Sequence, residues 1–165
     1  SSAGKANIHG AGKPEEMWTA EQNAFLESMA DAAESVVKLF DGKIVYINVM
    51  KNMSVDCDCC AVAEDPCMKD IGILASLDPI AIDQACLDLV YASDDPGRDH
   101  LVERIESLNG VHTVEAAAEL GFGSRENRNE KGDGRTAIAF SFASLLDEPD
   151  VHIDVALDAV HAALG

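Results

Sequence analysis

The chain has 165 residues, 47% of them apolar but only 5% aromatic. That is enough for a packed domain built on small aliphatic side chains, and too much for general disorder. Its 30 acidic and 12 basic residues give a formal charge of −18. This argues against nucleic acid as a partner, because binding phosphates needs a basic surface that releases counterions, and against anionic membrane surfaces for the same reason.

No apolar run approaches the roughly 20 residues of a membrane helix. The chain opens at Ser1 without a methionine and has no charged-then-apolar leader pattern. Its five cysteines leave at least one unpaired and are mostly clustered, unlike the dispersed spacing of a secreted disulfide scaffold. The expected compartment is therefore a reducing cytoplasm.

Residues 1–18, opening with SSAGKANIHGAGK, read as a flexible arm. Residues 19–126 read as an α/β domain. Its first helix spans Thr19 to Phe40, with Thr19 and Gln22 at capping-box spacing. Phe25, Met29, Ala32, Val36 and Phe40 form its apolar stripe, and Asp41-Gly42 stops it. Lys43–Met50 (KIVYINVM) and Asp70–Leu77 (DIGILASL) are apolar on both faces. They read as buried, parallel strands covered by helices, in a layered sheet.

Asp78-Pro79 starts the next helix, with aspartate as cap and proline at the first helical position. Asp95-Pro96 repeats the signal, and Asn109-Gly110 ends that helix. Thr113 is placed to cap an Ala-rich helix that Gly121 stops. Residues 127–134 read as a polar linker, and residues 135–165 as a tail of one strand and one helix.

The segment SVDCDCCAVAEDPC, Ser54 to Cys67, holds four of the five cysteines. Thiolates suit zinc and iron–sulfur clusters because soft sulfur donors match those ions. Cys57 and Cys60 have C-x-x-C spacing, Cys67 offers a third sulfur, and Asp56 or Asp58 an oxygen. Against a full site stand the adjacency of Cys59 and Cys60, the lack of a second C-x-x-C, and the absence of a nearby histidine. Acids beside a thiol also raise its pKa unless a cation is present. Free thiols and a redox dithiol are the alternatives. Cys86 lies on an apolar helix face and reads as an inert core thiol.

Asp78 and Asp83 would share one rim with the cysteine loop if the two strands were parallel, because ligands bind outside the carboxyl ends of such strands. Asp78 is explained as a cap and Asp88 as a solvated residue; Asp83 keeps a functional chance. Asp154, Asp158 and His161 read as the wet face of the last helix. His9, His100, His112 and His152 have no partner that spacing reveals. Gly121-Phe122-Gly123-Ser124 follows a helix rather than opening one, so it is a turn and a poor phosphate loop.

INVMKNMSVDCDC (Ile47–Cys59), DIGILASLDPIAIDQACLDLV (Asp70–Val90), AAELGFGSRE (Ala117–Glu126) and the upstream NAFLESMADAA (Asn23–Ala33) together resemble the uncharacterised iron–sulfur-centre proteins, the family defined by the domain of unknown function DUF362. The resemblance spans residues 5–126 and implies the carboxyl-terminal part of such a protein, without the ferredoxin-like cysteine clusters that members carry. Asp56-Cys57-Asp58-Cys59 and the Ser76–Gln84 segment are the positions that match.

The first functional expectation is a metal- or iron–sulfur-associated domain in a redox or electron-transfer setting. Cys57 and Cys59 would be the cofactor ligands, Asp56 and Asp58 supporting oxygens, and Cys60 and Cys67 auxiliary. An iron–sulfur cluster or zinc would be the cofactor. A cluster-bearing ferredoxin-like domain or an electron-transfer protein would be the partner. Two alternatives stand beside it: a metal-free accessory or scaffolding domain of an iron–sulfur protein, and a small-molecule enzyme using the acidic rim.

Overall fold

The computed structural model describes residues 21–56 and 62–125, together with the backbone of a strand at 138–141. The first helix, α1 (Gln22–Phe40), opens on Glu21, whose carboxylate accepts the backbone N–H groups of Asn23 (3.1 Å) and Ala24 (2.7 Å). These bonds hold its pKa below the usual glutamate value. Thr19, the expected cap, lies outside the described residues. The helix ends as expected: Asp41 and Gly42 both take positive φ (49° and 75°), the left-handed turn that terminates helices.

Strand β1 (Tyr46–Met50) pairs with β2 (Gly72–Ser76) in register from Tyr46↔Ser76 to Met50↔Gly72, and β2 pairs with β3 (Ile138–Ser141). The order is β1-β2-β3 and both pairings are antiparallel. The expectation of parallel strands is therefore corrected. A parallel pair needs a crossover, usually a helix, whereas the chain between β1 and β2 folds back on itself. The Ile71 N–H donates to the Met50 carbonyl (2.9 Å) and the Cys67 N–H to the Met53 carbonyl (2.8 Å), and an isolated bridge joins Met53 to Met68. Among the described residues this connection contains no helix.

The expectation that both strand faces are buried is corrected as well. Side chains alternate along a strand. Tyr46, Asn48 and Met50 face the helices, whereas Ile47 and Val49 on the opposite face are 61% and 56% exposed. The sequence pattern shows that a face is apolar, not that anything covers it.

The next three helices are α2 (Pro79–Ala92), α3 (Arg98–Ser107) and α4 (Val111–Glu119). Asp78 caps α2 with Pro79 in its first turn, as expected. Asp95 acts one step before α3: its carboxylate accepts the Gly97 N–H (2.8 Å). Asn109 (φ 52°) closes that helix. The Ala-rich helix starts at Val111, so Thr113 lies within its first turn rather than capping it.

Two buried clusters join these elements. Met50, Leu74, Ile82, Ala85 and Val90 lock α2 onto the sheet. Ala30, Ile80, Val114, Ala116 and Ala117 pack α1 and α4 against α2. The described helices thus lie on one side of the sheet, and among the described residues none covers the exposed Ile47/Val49 face. Among the described residues, no helix is long and apolar enough to cross a membrane.

Candidate functional site

Cys57, Asp58, Cys59 and Cys60 lie outside the described residues. The arms of their loop are described, and they are tied into the fold. Asp56 forms an ion pair with Arg104 of α3 (3.2 Å), and its other oxygen accepts the Glu64 N–H (3.1 Å). The Ser54 hydroxyl donates to the Glu64 carbonyl (2.9 Å). Cys67 is half-buried, and its thiol donates to the Met53 carbonyl (3.2 Å). The loop stem packs closely on the entry to α3: a Cβ at Gly97 would fall 1.6 Å from the Cys67 carbonyl oxygen, so only glycine fits there. Among the described residues, no group of three or more His, Cys, Asp or Glu side chains is placed to hold a metal ion.

Asp78 is a buried carboxylate with a full set of partners. Oδ1 accepts the N–H groups of Ile80 (2.8 Å) and Ala81 (3.0 Å), and Oδ2 accepts that of Ser124 (2.9 Å). The Asp78 N–H donates to the Ser76 hydroxyl (3.0 Å). Buried polar groups persist when bonded in this way. Asp78 therefore joins the start of α2 to the 121–124 turn. Gly123 is what allows the close approach: a Cβ there would meet Asp78 Oδ1 at 2.4 Å and Ile80 Cγ1 at 2.5 Å. The Gly-Phe-Gly-Ser stretch is thus a clasp around a cap. In sequence it reads as a simple turn, and the 46-residue separation of Ser124 from Asp78 hides the contact.

Asp83, one turn further along α2, is arranged differently. It is exposed, and it borders two clefts. Asn48 of β1 donates to its Oδ1 (2.9 Å), and the same amide lies 3.3 Å from the Cys86 thiol. Crowding raises the Asp83 pKa, partly offset by the Asn48 bond. The Cys86 thiol is raised by burial and, to a lesser degree, by the Asp83 charge, which keeps it protonated and unreactive. Cys86 is half-buried: it packs against the Met50, Leu74 and Ile82 cluster, as expected, and also meets the Asn48 amide.

Tyr46 was absent from the expected site. Its hydroxyl is buried with no hydrogen-bond partner among the described residues, and burial beside the Asp78 charge pushes its phenol up. The apolar cleft it lines, about 780 Å³, is bounded by α1, α2 and α4 and is shared with Asp83.

His112 also finds partners that sequence spacing could not reveal. It bonds Glu27 of α1 (2.9 Å, 85 positions away) and lies 3.6 Å from Glu115. The Glu27 bond, followed by the Glu27 and Glu115 charges, raises its pKa.

A family model described as "Domain of unknown function (DUF362)" matches residues 1–88 of the 165, and the chain belongs to that family. This corrects the extent and placing of the resemblance. The match covers the amino-terminal half of this chain and ends within α2, so it does not mark the chain as the carboxyl-terminal part of a family protein. The Ala117–Glu126 segment lies beyond the match, although it is bonded to the matched part through Asp78 and Ser124. No curated protein and no solved structure matched the chain.

Proposed function

We propose that this chain is a metal-free accessory or scaffolding domain, which packs the open side of its sheet against a cluster-bearing, ferredoxin-like part in a reducing cytoplasm. One observation carries the reading: among the described residues β1 is an edge strand, and its outward Ile47 and Val49 are exposed beside their partners Ala75 and Ile73 on β2. Proteins usually cover or charge such an edge, and an exposed apolar patch points to a partner. The loop arms agree, since Asp56 and Cys67 are both engaged in holding the fold.

A structural metal contributes folding energy directly. If the domain holds none, excess chelator and the Cys57→Ser/Cys59→Ser double substitution leave the thermal unfolding midpoint unchanged. A midpoint that falls with both treatments overturns the reading. It would favour the second proposal, a zinc or iron–sulfur site with Cys57 and Cys59 as ligands in an electron-transfer setting. That proposal draws on the clustering of Cys57, Cys59 and Cys60 in sequence and on the paired arms that close the loop at its base.

A further inference from the structure

Strand β1 has one occupied edge and one open edge. β2 takes the first. On the other, Tyr46, Ile47 and Asn48 make no backbone bond outside the sheet's own ladder among the described residues. In an antiparallel ladder, alternate residues turn their N–H and C=O groups away from the partner strand. The open edge of β1 therefore presents a row of unused donors and acceptors.

A cleft of about 590 Å³ runs along that edge, bordered by Ile47, Asn48, Val49 and Met50 in succession. Side chains alternate between the two faces of a strand, so one cleft meets four successive residues only along their backbone edge. Its other wall is mainly apolar, with Leu87 of α2, Leu101 and Ile105 of α3 and Val114 of α4. One charge breaks that wall. The Asn48 amide donates to Asp83 Oδ1 (2.9 Å), and no bond to the other carboxylate oxygen occurs among the described residues.

We propose that this edge accepts an extended segment of a partner as an added strand, with apolar residues at alternate positions and a lysine or arginine opposite Asn48 that pairs with Asp83. The inference rests on the accessory reading for the existence of a partner, and adds how that partner is held. Residues directly opposite on one face of paired strands have Cβ atoms about 5 Å apart. A basic residue opposite Asn48 thus stands beside the carboxylate that Asn48 holds. Residues two positions to either side, opposite Tyr46 and Met50, meet the apolar wall. A second copy of the chain fits less well. Pairing β1 with its own copy about Asn48 would bring two Asp83 carboxylates together, between chains of charge −18 each.

The test is magnetic-resonance titration of the isotope-labelled full chain with the blocked peptide Ac-TVTKTVT-NH2, whose lysine and valines share one face, at about 0.15 M salt to screen diffuse charge. The peptide should bind one per chain and move the backbone amide signals of Tyr46–Met50. Replacing its lysine by glutamate should weaken binding about tenfold. Asp83→Asn should cut that preference about threefold, whereas Asp88→Asn, an exposed acid on the same helix, should preserve it. Backbone methylation separates strand addition from side-chain insertion, because alternate N–H groups of a strand point to opposite edges. Of two peptides, one methylated at the backbone nitrogens of its valines and lysine and the other at those of its two central threonines, only one should bind. No binding, equal binding of the two methylated peptides, or equal effects of the two aspartate substitutions would each overturn the proposal. So would a dimer of the chain alone that protects the β1 amides. The accessory reading falls separately, on the chelator and cysteine measurements.

Discussion

Asp78 and Asp83 stand on the same helix end, within the same motif, and in sequence both read as acids of one rim. The structure assigns them opposite roles. Asp78 is 5% exposed and spends both oxygens on backbone N–H groups from two segments. Asp83 reaches solvent, takes one amide from β1 and borders open clefts. Carboxylates in a motif are thus told apart by how many bonds the fold itself requires of them. A fully bonded carboxylate holds structure; one with a free oxygen beside a cavity is available to a ligand.

The largest effect that would break this contrast is at Asp78. Asp78→Ala removes a helix cap and leaves the Ser124 N–H without its acceptor; the two losses together cost about 2–4 kcal/mol. Urea unfolding reads the cost, and a change below about 0.5 kcal/mol would show that the clasp is not structural. Gly123→Ala comes next. Its methyl group must displace Asp78 or Ile80, at about 1–3 kcal/mol of overpacking strain, and a neutral result would mean that the turn opens freely.

Asp83→Asn should change stability at neutral pH by no more than about 0.5 kcal/mol, as for most surface substitutions. Its signature lies in pH. Because crowding raises the folded-state pKa of Asp83 above 3.8, the folded chain binds its proton more readily than the unfolded one. Asp83 therefore disfavours folding above its raised pKa, and this penalty is relieved as pH falls from there towards 3.8. The asparagine variant should lack that component. Identical pH profiles for the two proteins would show that Asp83 is simply solvated.

The smallest effect is at His112. Its raised folded pKa makes its contribution fully present below the unfolded value of 6.5 and lost as pH rises through the folded pKa. His112→Gln should flatten that part of the stability profile while leaving Asp83 behaviour unchanged. An unaltered profile would show that the Glu27 bond adds nothing to the α1–α4 contact.

Much of the local structure was legible because its causes are local. Asp41-Gly42, Asn109 and Gly121 all take the left-handed backbone that ends helices, and Asp78-Pro79 opens α2 as cap and first residue. Strand direction was not legible. Ile47 and Val49 make β1 apolar on both faces, which looks like a buried parallel strand; nothing in a single strand says whether its second face is covered. The site was legible as a list of residues but not as an arrangement. Asn48 meets Asp83 across 35 positions and Ser124 meets Asp78 across 46, and no local pattern encodes either contact. The cysteine loop drew attention by composition, yet its described acid and thiol are held by Arg104 and by the Met53 carbonyl.

The central claim, that the domain holds no metal of its own, is tested most directly by metal analysis of the full chain. The protein would be purified anaerobically, supplied with zinc, or with iron and sulfide, and then desalted. The expected result is far less than one metal per chain, equal in the parent and in Cys57→Ser/Cys59→Ser. A stoichiometric zinc or a coloured cluster, present in the parent and lost from the double variant, would contradict it.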